Sequence, residues 1–247
     1  MRRSLAAFAL LGLCAATLAA GSAMAQATKA EAPARSGDNG AAGAPVFKPP
    51  LRGAPSRRVG GSSRGVSDAL PAVMVLVPDD VGLTTSGQPA LYWYLSKPTS
   101  VRVEVTLIDE KGEQPLVEYA VQNANGPAVH RVDLAQRNVS LKPGVEYQWS
   151  ISVVPNPDER SNDVMAGGVV KRVDLPAKIA ARRAAGASKE ELAALYAEEG
   201  IWYDAIGLYS ELIDERPKDA GLRAKRAALL DQVGLKEVAA FDRKAAQ

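Results

Sequence analysis

Leu141-Lys-Pro-Gly-Val-Glu-Tyr147-Gln-Trp149-Ser-Ile-Ser-Val-Val154 reads as a tight turn that feeds a β-strand. Pro143 restricts φ and Gly144 tolerates positive φ, so the pair sets the turn. Beyond it, Val145, Tyr147, Trp149, Ile151 and Val153 fall on one face, with Glu146, Gln148, Ser150 and Ser152 on the other. Alternation of this kind marks a half-buried strand.

Outward from that strand, residues 70–175 show short alternating runs separated by turn signals. Val73 to Val77 ends at Pro78-Asp79-Asp80. Ala90 to Ser96 places Leu91, Trp93 and Leu95 together and turns Tyr92 and Tyr94 the other way. Val101 to Ile108, Leu116 to Gln122, Ala128 to Leu134 and Gly167 to Asp174 complete the set. A leucine, a Pro-Gly turn and a tyrosine two residues before a large apolar residue resemble the tyrosine corner of immunoglobulin-like and fibronectin type III sandwiches. The expected fold is therefore a β-sandwich of about seven strands. Trp93 and Trp149 are expected at the centre of its core.

After Pro176 the period becomes helical. Pro176 to Ala185 reads as a basic helix, and Ser188-Lys-Glu-Glu191 is a capping box. Ala193, Leu195, Gly200, Ile201 and Ala205 recur 34 residues later as Ala227, Leu229, Gly234, Leu235 and Ala239. That is the tetratricopeptide period. Residues 176–247 hold only about one and a half such repeats, fewer than a free-standing solenoid needs. The helices are expected to lean on the sandwich or on a partner.

The N-terminus reads as a secretory signal over residues 1–25. Arg2 and Arg3 precede an uncharged apolar run from Leu5 to Ala20, and Ala23-Met-Ala25 offers small residues before a cut. The run is short for a membrane span. Cleavage after Ala25 removes two of 30 basic residues and the single cysteine, Cys14, leaving 28 basic against 28 acidic residues. The expected location is the periplasm, with no transmembrane segment, disulfide or thiolate chemistry in the mature chain. Residues 26–67 read as a low-complexity tether with arginines set among glycines, including Arg58 and Arg64. Nucleic acid is not an expected partner after export, and no aromatic residue lies among the arginines of Gly53 to Gly65 for base stacking.

Chemistry-bearing motifs are sparse. His130 is the only histidine and shares strand parity with Val132 and Leu134, so it reads as structural. One histidine without cysteine does not build an ordinary zinc site. A Ser-His-Asp triad would have to recruit His130, and no serine elbow on a strand-to-helix turn is identified. Paired acids at Asp109 and Glu110, or at Asp158, Glu159 and Asp163, lie in turns where solvated carboxylates are ordinary. No cofactor and no metal are expected. Pro155 to Asp163 is richer in polar turn formers than a hairpin needs, and such loops commonly carry binding residues.

Several segments, in order, resemble a bacterial family known as domain of unknown function 928. They are Gly53-Ala-Pro-x-x-Arg58-x-Gly-Gly-x-x-Arg64-Gly65, Leu76-Val-Pro78, Gly82-Leu-Thr84 and Leu91-Tyr-Trp-Tyr-Leu95, then Leu141 to Trp149, Asp158-Glu-Arg160-Ser161-x-Asp163 and Tyr196-Ala-x-x-Gly200-Ile-Trp-Tyr-Asp204-Ala205. The resemblance implies an exported protein and no known activity, substrate or cofactor. Ser62-Ser63 replaces the Gly-Thr usual before Arg64, and no cysteine precedes the Arg160 loop. The resemblance also makes Arg58 and Arg64 candidates to fold back onto the sandwich, against Asp79, Asp80 or the Asp158 loop. The expected function is a non-enzymatic interaction or scaffold module whose partner is another envelope protein. Its candidate contacts are Arg58, Arg64, Arg160, Ser161, Asp163, Trp202, Tyr203 and Asp204. One alternative is an envelope-glycan module with Tyr92 and Tyr94 as an outward sugar platform. Another is a carboxylate-dependent hydrolase using the Asp158, Glu159 and Asp163 cluster.

Overall fold

The alternation after Pro143-Gly144 becomes a nine-residue strand, Glu146–Val154, whose Tyr147, Trp149, Ile151 and Val153 are buried. The computed structural model describes residues 43–50, 58–60, 70–109, 111–112 and 114–245. The expected signal peptide, with Cys14, and Arg64 lie outside the described residues. Among the described residues eight strands form: β1 (Val73–Val75), β2 (Gly82–Thr84), β3 (Ala90–Leu95), β4 (Arg102–Asp109), β5 (Pro115–Val121), β6 (Ala128–Asp133), β7 (Glu146–Val154) and β8 (Val164–Arg172). They make two sheets, one ordered β1-β3-β6 and the other β2-β8-β7-β4-β5. All pairings are antiparallel except β2 with β8, which is parallel.

The strand β2 is additional to the seven expected from alternation. Three residues cannot display a period of two, and its hydrogen bonds go to β8, far along the chain. At the corner before β7, the Tyr147 hydroxyl accepts a hydrogen bond from the Lys142 amide at 3.0 Å while its ring packs inside. Gly144 takes φ +79°, which the turn requires and a side chain would resist. Trp93 of one sheet and Trp149 of the other are both essentially inaccessible and share one continuous core. His130 stacks on Trp93 with ring centroids 4.3 Å apart, and its Nε2 donates to the Asn125 carbonyl. Burial holds its pKa below the usual histidine value.

Among the described residues five helices follow: α1 (Ala177–Ala184), α2 (Lys189–Glu198), α3 (Trp202–Glu215), α4 (Ala220–Gln232) and α5 (Lys236–Lys244). Ser188 and Glu191 form the reciprocal capping box at the start of α2. The sequence repeat is a repeat of backbone geometry. Gly200 and Gly234 both take positive φ, at +76° and +74°. In both turns the residue after the glycine bonds back to a carbonyl five positions earlier, Ile201 to Tyr196 and Leu235 to Leu230. A clip unseen in the sequence joins three helices. Arg226 of α4 grips Asp242 of α5 through two bonds of 2.7 and 2.6 Å and reaches Ser210 of α3.

The helices cover the face of β3 that carries Tyr92 and Tyr94. Both side chains are buried, and Tyr94 meets Phe241 of α5 at 5.3 Å between ring centroids. Burial pushes the Tyr92 pKa up to about 12. This corrects the sugar-platform reading: the two tyrosines do face away from Trp93, but onto helices rather than into solvent.

Candidate functional site

The joint between sandwich and helices gathers residues from distant motifs. The first turn of α3 follows the Gly200 turn, which aims Trp202, Tyr203 and Asp204 at the sheets. Trp202 donates its indole N–H to the Leu76 carbonyl at 2.8 Å. The Tyr203 hydroxyl accepts from the Trp149 indole at 2.8 Å and donates to the Val169 carbonyl at 3.2 Å. Every polar atom these rings carry inside is thereby paired, as burial demands. Asp204 accepts from Thr84 Oγ1 at 2.7 Å, from the Thr85 amide at 3.0 Å and from Thr85 Oγ1 at 2.5 Å. Its pKa is still raised, because desolvation outweighs the three bonds.

This arrangement explains Gly82-Leu-Thr84. A Cβ on Gly82 would lie 2.5 Å from the Tyr203 ring, so the missing side chain makes room for that ring. Trp202 and Tyr203, two of the candidate partner contacts, are instead buried, whereas Asp204 is only partly so. The turn that carries them is closed over by the chain's own sheets. Proximity to a turn suggested exposure, whereas the two sequence segments that meet there could not be paired without the fold.

Beside this joint a polar cleft of about 250 Å³ opens between the Thr84–Ala90 segment and helices α1 to α3. Asp204, Gly207, Leu208 and Glu211 form its α3 wall, at the spacing of one helix face. Arg183 of α1, Tyr196 of α2 and Arg131 of β6 complete the polar lining. The sequence reading marked Asp204 but missed this cleft. The i, i+3, i+7 spacing of Asp204, Gly207 and Glu211 was available as a signal.

The other candidates lie apart. Arg160 begins a single 3-10 turn, Arg160–Asn162, and bridges Asp163 at 2.8 Å and Glu104 of β4 at 2.6 Å. Arg160, helped by Arg102 at 2.8 Å, holds the Glu104 carboxyl below its usual pKa, chiefly through the Arg160 hydrogen bond. One Asp163 oxygen, Oδ1, is buried without a hydrogen-bond partner. Ser161 and Asp158 are exposed, and Glu159 accepts from Asn162. The loop clasps β4 through the Arg160–Glu104 pair. Among the described residues, no group of three or more His, Cys, Asp or Glu side chains could hold a metal ion.

Arg58 lies inside the expected tether but is tied down. Its guanidinium donates to the carbonyls of Val77 and Val233 at 3.1 and 2.7 Å and pairs with Asp79 at 2.7 Å. Val59 exchanges two backbone bonds with Gly167 on β8. Arg64 and Gly61-Ser-Ser-Arg-Gly65, which has the Gly-x-Ser-x-Gly spacing passed over in the sequence, lie outside the described residues. Upstream, Gly43 to Pro50 runs along α2 and the end of α4. The Lys48 amide bonds the Ala197 carbonyl, and Gln232 bonds both the Phe47 amide and the Pro45 carbonyl. Phe47 meets Trp202 edge-on at 4.8 Å, and Lys48 pairs with Glu198. A groove of about 530 Å³ continues beside this strap, between Lys178, Ala187 and Leu195. No helix among the described residues is long and apolar enough to cross a membrane.

No curated protein matches the chain. Among solved structures, a multi-domain immunophilin from Arabidopsis thaliana aligns over 81% of this chain and all of its own, at 11% identity and a TM-score of 0.19, too low to bear on the fold. The family described as Domain of Unknown Function (DUF928) matches residues 59–242. That single match takes in both sheets and all but the last residues of α5, and the chain belongs to this family.

Proposed function

We propose that the protein is a non-enzymatic interaction module of the periplasm, and that its helical face recognises extended peptide. The strap carries this reading. Gly43 to Pro50 lies extended against α2 and α4, bonded through its backbone at Pro45, Phe47 and Lys48 and anchored by an aromatic side chain. Backbone bonds combined with one aromatic anchor are how helical grooves and aromatic-lined surfaces take extended segments. The strand order, the Tyr147–Lys142 bond and the paired Gly200 and Gly234 turns support kinship with fibronectin-like sandwiches and tetratricopeptide pairs. Kinship of that kind suggests a scaffold and names no ligand.

The test is direct. A chain lacking residues 26–50 should bind a synthetic Gly43–Pro50 peptide, and a peptide with Phe47→Ala should bind more weakly. Envelope proteins captured by the shortened chain should be displaced by the same peptide. A shortened chain that folds and ignores the peptide would remove the groove from consideration. The Arg160 loop would then be the surface to examine, through Arg160→Gln and Ser161→Ala variants of the capture.

A further inference from the structure

The polar cleft at the joint has a feature that packing does not explain. Gly207 sits in the interior of α3, where glycine is less favourable than alanine. It is buried, takes no positive φ, and a Cβ there would meet nothing within 4 Å. Neither a close approach nor a turn requires a glycine at this place. The missing side chain keeps the α3 wall of the cleft open between Asp204 and Glu211.

The charges around that opening are unequal in commitment. Asp204 already accepts three hydrogen bonds. Glu211 stands 3.9 Å from Lys189, and Arg131 pairs with Asp133 at 2.8 Å. Among the described residues Arg183 bonds only the Tyr196 hydroxyl, at 3.4 Å, and its charge acts on the Asp204 carboxylate without a direct ion pair between them. The remaining lining offers hydroxyls from Thr84, Ser86 and Tyr196 and an amide from Gln88. A guanidinium outside any ion pair, with hydroxyls, an amide and the carboxylate acceptors of Asp204 and Glu211 beside it, matches a molecule with one negative charge and several hydroxyls. The volume of about 250 Å³ limits it to a ligand smaller than a typical drug.

We propose that this cleft binds a small hydroxylated carboxylate of the sugar-acid class, with Arg183 pairing its carboxylate and the opening over Gly207 admitting its ring. The proposal is independent of the peptide groove, which lies beside the strap. Titration calorimetry on the full chain, using glucuronate as probe, tests it. Glucuronate should bind at least about tenfold more tightly than glucose, which lacks the charge, or acetate, which lacks the hydroxyls. Arg183→Gln should weaken glucuronate about tenfold or more. Gly207→Leu should abolish binding, while Gly207→Ala should raise the thermal midpoint. Arg183 is exposed, so its variant is expected to fold even if Gly207→Leu does not. The proposal is overturned if glucuronate fails to bind, if glucose or acetate matches it, or if the folded Arg183→Gln protein binds it as the parent does.

Discussion

Asp204 and Asp163 are both short carboxylates held by donors, and both belong to segments that resemble the family pattern. Their surroundings separate them. Asp204 lies between α3 and the β2 edge beside the cleft, and desolvation raises its pKa against three hydrogen bonds. Asp163 is gripped by Arg160, whose side chain is half exposed, in a turn that rests on Glu104 at the sheet surface. A cluster of polar and aromatic residues can therefore be the joint of two modules or a clasp whose cation faces solvent. Composition alone does not distinguish them. The stability of each should follow its burial, and substitutions can break that expectation.

The largest effect is expected at the joint. Tyr203→Ala removes a buried ring that joins α3 to two neighbouring strands of one sheet, β7 through Trp149 and β8 through Val169, and should cost about 3–5 kcal/mol in urea unfolding. That is much of the ~5–15 kcal/mol a domain ordinarily holds. A loss below about 1 kcal/mol would mean that helices and sandwich do not depend on each other. Gly82→Ala attacks the same contact from the other side. Its Cβ must push the Tyr203 ring aside, and overpacking of this kind should cost about 1–3 kcal/mol. The double variant Gly82→Ala with Tyr203→Ala should cost less than the sum, because the clash disappears with the ring.

Much of each module was legible in the sequence, and the joint was not. Alternation around Tyr147 and Trp149 gave the central strand and its inward face, and the 34-residue recurrence gave the two matching glycine turns. Those signals are local, carried by residues within one strand or one helical pair. Thr84 with Asp204, Gly82 with Tyr203 and Arg58 with Val233 are separated by most of the domain. No period connects them. The Tyr92 and Tyr94 side was read as outward for the same reason. Parity identifies the opposite face of a strand without saying whether that face meets water or a helix.

Asp204→Ala leaves the Thr85 amide and two hydroxyls without their acceptor, and should cost about 1–3 kcal/mol. Its pH signature is more specific. The folded pKa is raised, so the folded state binds more protons than the unfolded one above about pH 3.9, and stability falls as pH rises through that window. Asp204→Asn should remove this decline, measured by urea unfolding at a series of pH values. An unchanged slope in the variant would place the titration elsewhere.

The smallest effect is expected at the clasp. Arg160 lies in solvent, where ion pairs contribute little. Arg160→Gln should leave the urea midpoint near that of the parent at neutral pH. Its trace should appear on the acid side, with the opposite sign to Asp204. Arg160 depresses the Glu104 pKa, so the pair's contribution is present above the ordinary glutamate value of about 4.3 and is lost as pH falls through the lower folded value. The parent should therefore lose stability more steeply than Arg160→Gln on acidification. Comparing both variants with the parent from about pH 3 to pH 7 tests burial as the cause. If burial governs, the joint weakens as its acid ionises and the clasp weakens as its acid is protonated.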